Sequence, residues 1–286
     1  MYKVSAAVND VSLVNIPLTP EEFQLQPDLI NKALTVDPNI KLVYICSPGN
    51  PTAALIKKED IQKVLEHPTW NGVVVLDEAY IDFAAEGSSL AEWVTEWPNL
   101  VVMQTLSKAF GLAGIRLGAA FTSPEIADLL NKIKAPYNIS NPTSQLAQVA
   151  LQPSSLAKKQ QNVDAILKQR ERLVKELPKI RGVGRFLGGL DSNFLLAEML
   201  DTDGKPSNVV AEQVYQTLAE QKGVVVRFRG KEHGCTGCLR ITVGTGEEVT
   251  RFLASLETVL ADTHAGKIGK VAASEQKQAH DSGVVA

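Results

Sequence analysis

An amide, a carboxylate, a phenol, a hydroxyl and an amine stand just past the ends of three short apolar runs. "KLVYIC" (Lys41 to Cys46) feeds "SPGNPT" (Ser47 to Thr52), "GVVVLD" (Gly72 to Asp77) ends in "DEAY" (Asp77 to Tyr80), and "LVVMQTL" (Leu100 to Leu106) reaches Ser107 and Lys108. An amine such as Lys108 condenses with an aldehyde, and a carboxylate such as Asp77, paired with a ring nitrogen, keeps a pyridinium protonated so that the ring draws electrons. Asn50 and Tyr80 can hydrogen-bond a ring oxygen. Ser107 and Arg116 can hold a phosphate dianion, because the arginine fork matches phosphate oxygens. Gly111, Gly114 and Gly118 let the backbone come close to such a group. One cofactor that needs this whole set is pyridoxal 5'-phosphate.

The elements that must position these groups follow from pattern. The three runs are continuously apolar and bounded by turn residues, which predicts strands buried on both faces. Between the first two lies "KKEDIQKVLEH" (Lys57 to His67), whose Ile61, Val64 and Leu65 mark one helical face, and "SSLAEWVTEW" (Ser88 to Trp97) precedes the third. Strands alternating with helices imply parallel βαβ units, whose strand ends share one edge where ligands collect. From Pro124 the pattern turns helical, and Leu156 to Leu177 reads as a long, charged helix bridging two domains. "SNFLLAEML", a helix from about Asn208 to Gln221, "GVVVRF", "LRITVG" and a helix from about Glu247 to Leu260 fit a small α+β domain. The boundaries expected are 1–154, a connecting helix 155–178, 179–263, and a disordered tail 264–286 of little apolar periodicity.

With 286 residues, 44% of them hydrophobic, the chain can bury a sizeable core. A net charge of -3 gives no bulk attraction for nucleic acid or anionic lipid. No run approaches the length of a spanning helix and Met1 to Pro17 lacks signal-peptide character, so a soluble, cytoplasmic protein with three reduced cysteines is expected. Each chosen residue also has a plainer reading. Lys108 read alone is a solvated strand end, Asp77 a helix cap, Tyr80 a half-buried aromatic, "SPGNPT" a turn, and Arg116 the partner of a surface carboxylate. "HGCTGC" (His233 to Cys238) holds one C-x-x-C, but structural zinc needs four ligands and no second pair is present, so no metal is expected.

"SPGNPTA", "LDEAYIDF", "TLSKAFGLAGIRLG" and "GCLRITVG", in this order, resemble the fold-type I, class II pyridoxal-phosphate-dependent aminotransferases, and among them those acting on histidinol phosphate. The resemblance runs from Met1 to about Leu260. It implies an α/β fold: a large domain, here partial, with a mixed, mostly parallel sheet and helices on both faces, plus the small C-terminal α+β domain. It implies Lys108 as the Schiff-base lysine and general base, made nucleophilic by burial beside the cofactor, and Asp77 as the partner of the pyridine nitrogen. Asn50 and Tyr80 become ring-oxygen contacts, and Ser107 with Arg116 part of the phosphate site. Arg240 resembles a substrate-anchoring arginine and Arg227 a second anionic contact, although Arg229 stands beside it and either arginine can instead cover an apolar face. The implied substrates are histidinol phosphate, imidazole-acetol phosphate and glutamate or 2-oxoglutarate in histidine biosynthesis, handled by a homodimer. A related aromatic or phosphorylated-amine aminotransferase, a decarboxylase, or an inactive binding chain remain alternatives. The resemblance further implies roughly a hundred residues ahead of the point matching Met1 in relatives, a length that would supply part of a domain, including an aromatic that stacks on the cofactor, a role for which Tyr2 is not expected to substitute.

Overall fold

The computed structural model describes residues 2–268. Two four-stranded sheets, one per half of the chain, organise it. The first is built from β1 (Leu42–Cys46), β2 (Val73–Asp77), β3 (Leu100–Thr105) and β4 (Gly118–Phe121) in spatial order β1-β2-β3-β4. β1, β2 and β3 run parallel and β4 returns antiparallel at the edge. The helices α1 (Tyr2–Val8), α2 (Pro27–Val36) and α3 (Lys58–Leu65) accompany this sheet. Register pairs Tyr44 with Val75 and Cys46 with Asp77, so these four share one face, and the alternate residues Ile45, Val74, Leu76, Leu100 and Val102 form the core on the other. Ile30 and Leu34 of α2 and Ile61, Val64 and Leu65 of α3 close that core, which is why the apolar stripe of α3 was legible.

Two expectations need correction here. β2 and β3 carry long buried runs, but β1 is a half-exposed edge strand, with Leu42 55% accessible. The stretch from Ser88 to Trp97 contributes only a 3-10 helix, Ala91–Thr95, too short to supply a full amphipathic face. β4, which the pattern did not announce, is exposed at all four residues.

Helices α4 (Pro124–Ile133), α5 (Asn141–Ala150) and α6 (Pro153–Glu176) follow. Helix α6 touches both halves. Lys159 pairs with Asp82 at 2.8 Å, while Arg170 donates to the carbonyls of Phe83 at 3.3 Å and Ser192 at 2.8 Å. The second sheet comprises β5 (Val183–Leu187), β6 (Phe194–Met199), β7 (Arg227–Phe228) and β8 (Cys238–Thr242), all antiparallel, in order β5-β6-β8-β7. One face of it packs Leu195, Ala197, Met199, Leu239 and Ile241 against α7 (Asn208–Lys222) and α8 (Gly246–His264). Thr245 and Glu248 close a reciprocal capping box at the start of α8. α8 includes His264, the first residue of the expected tail, and residues 269–286, where the rest of that expectation falls, lie outside those described.

The turn between β5 and β6 docks onto the loop after β1. Gly189 and Asp191 donate to the carbonyls of Thr52 and Ala53, each at 3.0 Å, and Gly188 donates to Glu21 at 2.8 Å. Gly188 has φ +76°, and a Cβ there would lie 2.0 Å from the Thr52 carbonyl oxygen. Only glycine allows this approach. No helix among the described residues is long and apolar enough to cross a membrane.

Candidate active site

The strand ends do form one rim, and a chain of contacts follows it. Lys108 Nζ lies 5.2 Å from the centroid of the Tyr80 ring. Tyr80 meets Phe194 edge-on at 5.1 Å, the Arg240 guanidinium lies 5.0 Å over Phe194, and Arg240 Nη1 donates to Asn50 Oδ1 at 2.7 Å. Asn50, Tyr80 and Lys108 from the first half thereby meet Phe194 and Arg240 from the second. Burial lowers the pKa of Arg240 from its ordinary value, and the charges of Arg229 and then Arg227 lower it further.

Asp77 ends β2 with Oδ1 accepting from the Ala79 amide at 3.0 Å, a local turn that fixes the carboxylate. Its Oδ2 accepts from the Tyr2 phenol, whose ring lies against Tyr44 at a tilt of 39° with centroids 3.9 Å apart. Burial first, and then the bond to Asp77, raise the Tyr2 pKa far above a free phenol. The same face pushes Cys46 up to about 11 and Tyr44 up to about 12, by burial and by the Asp77 charge. Tyr2 thus serves as a hydrogen-bond donor to Asp77, a contact that sequence reasoning missed.

Past β3, Thr105 does more than end a strand. Its hydroxyl accepts from the Ser107 amide at 3.1 Å and lies within hydrogen-bonding distance of Ser107 Oγ at 3.0 Å and the Leu117 carbonyl at 3.3 Å. Leu106 also donates to Leu117, so the loop carrying Ser107 and Lys108 is tied to the start of β4. Arg116 has φ +54° and folds its Nη1 onto the Ala113 carbonyl at 3.0 Å, leaving the side chain exposed. Arg227 is likewise exposed. Lys108 is exposed too, and β4 beside its loop, Gly118 to Phe121, is open to solvent at every residue.

Glu78, in the same "DEAY" stretch as Asp77, is the other group that the sequence did not single out. It is 1% exposed, and its carboxylate accepts from Ser89 Oγ at 2.6 Å, the Leu90 amide at 2.7 Å and Gln104 Nε2 at 2.9 Å. An acid following the strand-end acid falls on the opposite side by alternation, a signal that points inward. The clamp joins the end of β2 to β3 directly beneath the residues leading to Lys108.

Cys235 and Cys238 are buried thiols. Their thiols donate to the carbonyls of His233 at 3.4 Å and Thr236 at 3.6 Å, their closeness lowers the pKa of Cys235 and raises that of Cys238, and both pack with Phe23, Ala54, Leu187 and Leu196. Among the described residues no group of three His, Cys, Asp or Glu side chains converges on a metal position.

The sequence matches the family "aminotransferase class I and II" over residues 1–256. The chain belongs to that family. The enzymes of this family depend on pyridoxal phosphate. Among curated proteins, the chain is 54% identical to a histidinol-phosphate aminotransferase of Schizosaccharomyces pombe over 93% of this chain and 70% of that one. It is 50% identical to one of Candida maltosa over 92% of this chain and 68% of that one. The aminotransferase chain also superposes with a TM-score of 0.80 on the crystal structure of a histidinol-phosphate aminotransferase from Sinorhizobium meliloti in complex with pyridoxal 5'-phosphate, covering 92% of this chain and 68% of that chain at 23% identity. At that identity the likeness concerns the fold alone.

Proposed function

We propose that this chain carries the active site of a pyridoxal-phosphate-dependent histidinol-phosphate aminotransferase of histidine biosynthesis, working as a cytoplasmic homodimer with glutamate and 2-oxoglutarate as the second pair. The continuous contact from Lys108 through Tyr80 and Phe194 to Arg240 and Asn50 is the observation that carries the reading. Residues 1–154 would form the cofactor-binding large domain, 155–178 the connection, supplied mostly by α6, and 179–263 the small α+β domain.

The donor set fits the cofactor. Asp77 Oδ2 accepts from the Tyr2 phenol, a place that Tyr2 would yield to a protonated ring nitrogen, and the Lys108 Nζ, set against the Tyr80 ring, makes no ion pair or hydrogen bond among the described residues. When bound, the cofactor supplies an aldehyde for amines and a ring that takes up electron density. Lys108 would hold the aldehyde carbon and, once an amino substrate takes its place, its Nζ would accept a proton from the substrate α-carbon and return it at the cofactor carbon. Asp77 would keep the proton on the ring nitrogen, while Asn50 and Tyr80 would hold the ring oxygen. Ser107 and Arg116 would hold the cofactor phosphate, for which the Arg116 side chain turns away from Ala113. Arg240 and Arg227 would anchor the substrate's anionic group.

The visible spectrum of the purified chain with pyridoxal phosphate tests this, alongside Lys108→Ala, before and after glutamate. The expected result is an absorption band present only with Lys108 and shifted by glutamate. No lysine-dependent band, with both proteins folded, would overturn the assignment and leave a chain that binds without catalysing.

A further inference from the structure

The second sheet gathers more positive charge at the rim than Arg227 and Arg240 supply. Arg227 pairs with Arg240 in register, and the Arg229 amide donates to the Cys238 carbonyl at 2.9 Å, continuing the same ladder. Since side chains alternate along strands and directly paired residues share a face, Arg227, Arg229 and Arg240 all lie on one face. It is opposite Leu239 and Ile241, which enter the helical core, and it is the face from which Arg240 reaches Phe194 and Asn50. The Arg229 charge lowers the pKa of Arg240 more than the Arg227 charge does.

Only one carboxylate pairs with these arginines among the described residues. Glu232 accepts from Arg229 Nη1 at 2.9 Å. Arg229 uses no other side-chain donor, Arg240 uses only Nη1, and the Nε of each is buried without a partner. Three guanidinium groups and one carboxylate leave a local charge of about +2, and part-satisfied donors of this kind favour an acceptor-rich anion. A phosphomonoester, carrying about -1.5 to -2 near neutral pH with three acceptor oxygens, matches that surplus better than a single carboxylate does.

We propose that Arg229 is a specificity-determining residue of this site, completing with Arg227 and Arg240 a three-arginine subsite for the phosphomonoester group of the substrate, with Glu232 orienting it. The inference rests on the proposed function and deepens it, by assigning discrimination between phosphorylated and unphosphorylated amines to a residue outside the strand motif "LRITVG".

The test is titration calorimetry of the full chain, loaded with pyridoxal phosphate, with histidinol phosphate and with histidinol, for wild type, Arg229→Gln, Arg229→Lys and Glu232→Gln. Arg229→Gln should weaken histidinol phosphate about tenfold, the loss of one charge-assisted contact, and leave histidinol within twofold. Arg229→Lys, which keeps the charge and loses the fork, should fall between, and it serves if the glutamine variant does not fold. Glu232→Gln, which removes the one competing carboxylate and keeps the Arg229 fork, should tighten the phosphorylated ligand by about twofold to fivefold and leave histidinol within twofold. Equal weakening of both ligands by the Arg229 variants, or none, would overturn the proposal and leave Arg229 as an anchor for the 230–237 loop. Wild type that fails to prefer the phosphorylated ligand would overturn it too. A missing lysine-dependent band alongside intact phosphate discrimination would instead sink the proposed enzyme and leave the anion subsite standing.

Discussion

Replacing Glu78 with glutamine tests whether the clamp beneath the rim holds the fold. The carboxylate is 1% exposed and receives three donors, Ser89 Oγ and Gln104 Nε2 on Oε2 and the Leu90 amide on Oε1. Hydrogen bonds to a charged group contribute roughly 1.5–3 kcal/mol each, against about 1 kcal/mol for neutral ones, so Glu78→Gln removes about 3 kcal/mol of charge assistance. The new amide NH2 must also face a donor whichever way it turns, either the Leu90 amide or the Gln104 side chain, which brings the expected loss to about 4 kcal/mol. Urea unfolding followed by tryptophan fluorescence measures it, since Trp93 and Trp97 pack against the same core. Ser89→Ala, which removes one of the three donors and leaves the carboxylate, should lose less, about 2 kcal/mol. A loss below about 1 kcal/mol for Glu78→Gln, with an unchanged denaturant slope, would refute the argument that this carboxylate and its three donors hold the end of β2 to β3.

Two further perturbations address other links. Gly188→Ala places a Cβ 2.0 Å from the Thr52 carbonyl in a left-handed conformation, so it should cost more than about 2 kcal/mol and speed hydrogen exchange at the Gly189 and Asp191 amides; unchanged exchange would remove the docking argument. Cys46, raised from 9.0 to about 11, keeps its proton in the folded chain while the unfolded chain loses it. Its contribution is therefore complete below pH 9 and falls away as pH rises towards 11, by about 1 kcal/mol over the first unit. Cys46→Ala should make the stability curve shallower between pH 9 and 10, where the raised tyrosines add a slope of their own as pH nears 10, and a curve as steep as wild type would show that Cys46 does not titrate there.

The local grammar of the chain determined a good deal. Continuous apolar runs ending in polar turns placed β1, β2 and β3 and, through the parallel-sheet rule, the rim holding Asn50, Asp77, Tyr80 and Lys108. Helical periodicity gave α3, and a long charged pattern gave α6 within three residues of its observed start. Motif likeness supplied the cofactor and the family. Other features depend on what comes near from a distance. Antiparallel β4 is too short and small to signal itself, and β7 spans two residues and is a strand only because β8 pairs with it. The exposure of Lys108 was invisible because burial is set by neighbouring surfaces, not by the lysine's own sequence. Tyr2 reaches Asp77 across 75 positions and Arg240 reaches Asn50 across 190. Sequence fixes which groups are present and which face of its own element each takes, because side-chain alternation is local. Tertiary structure alone decides which faces meet, because contacts between distant segments depend on how whole elements pack.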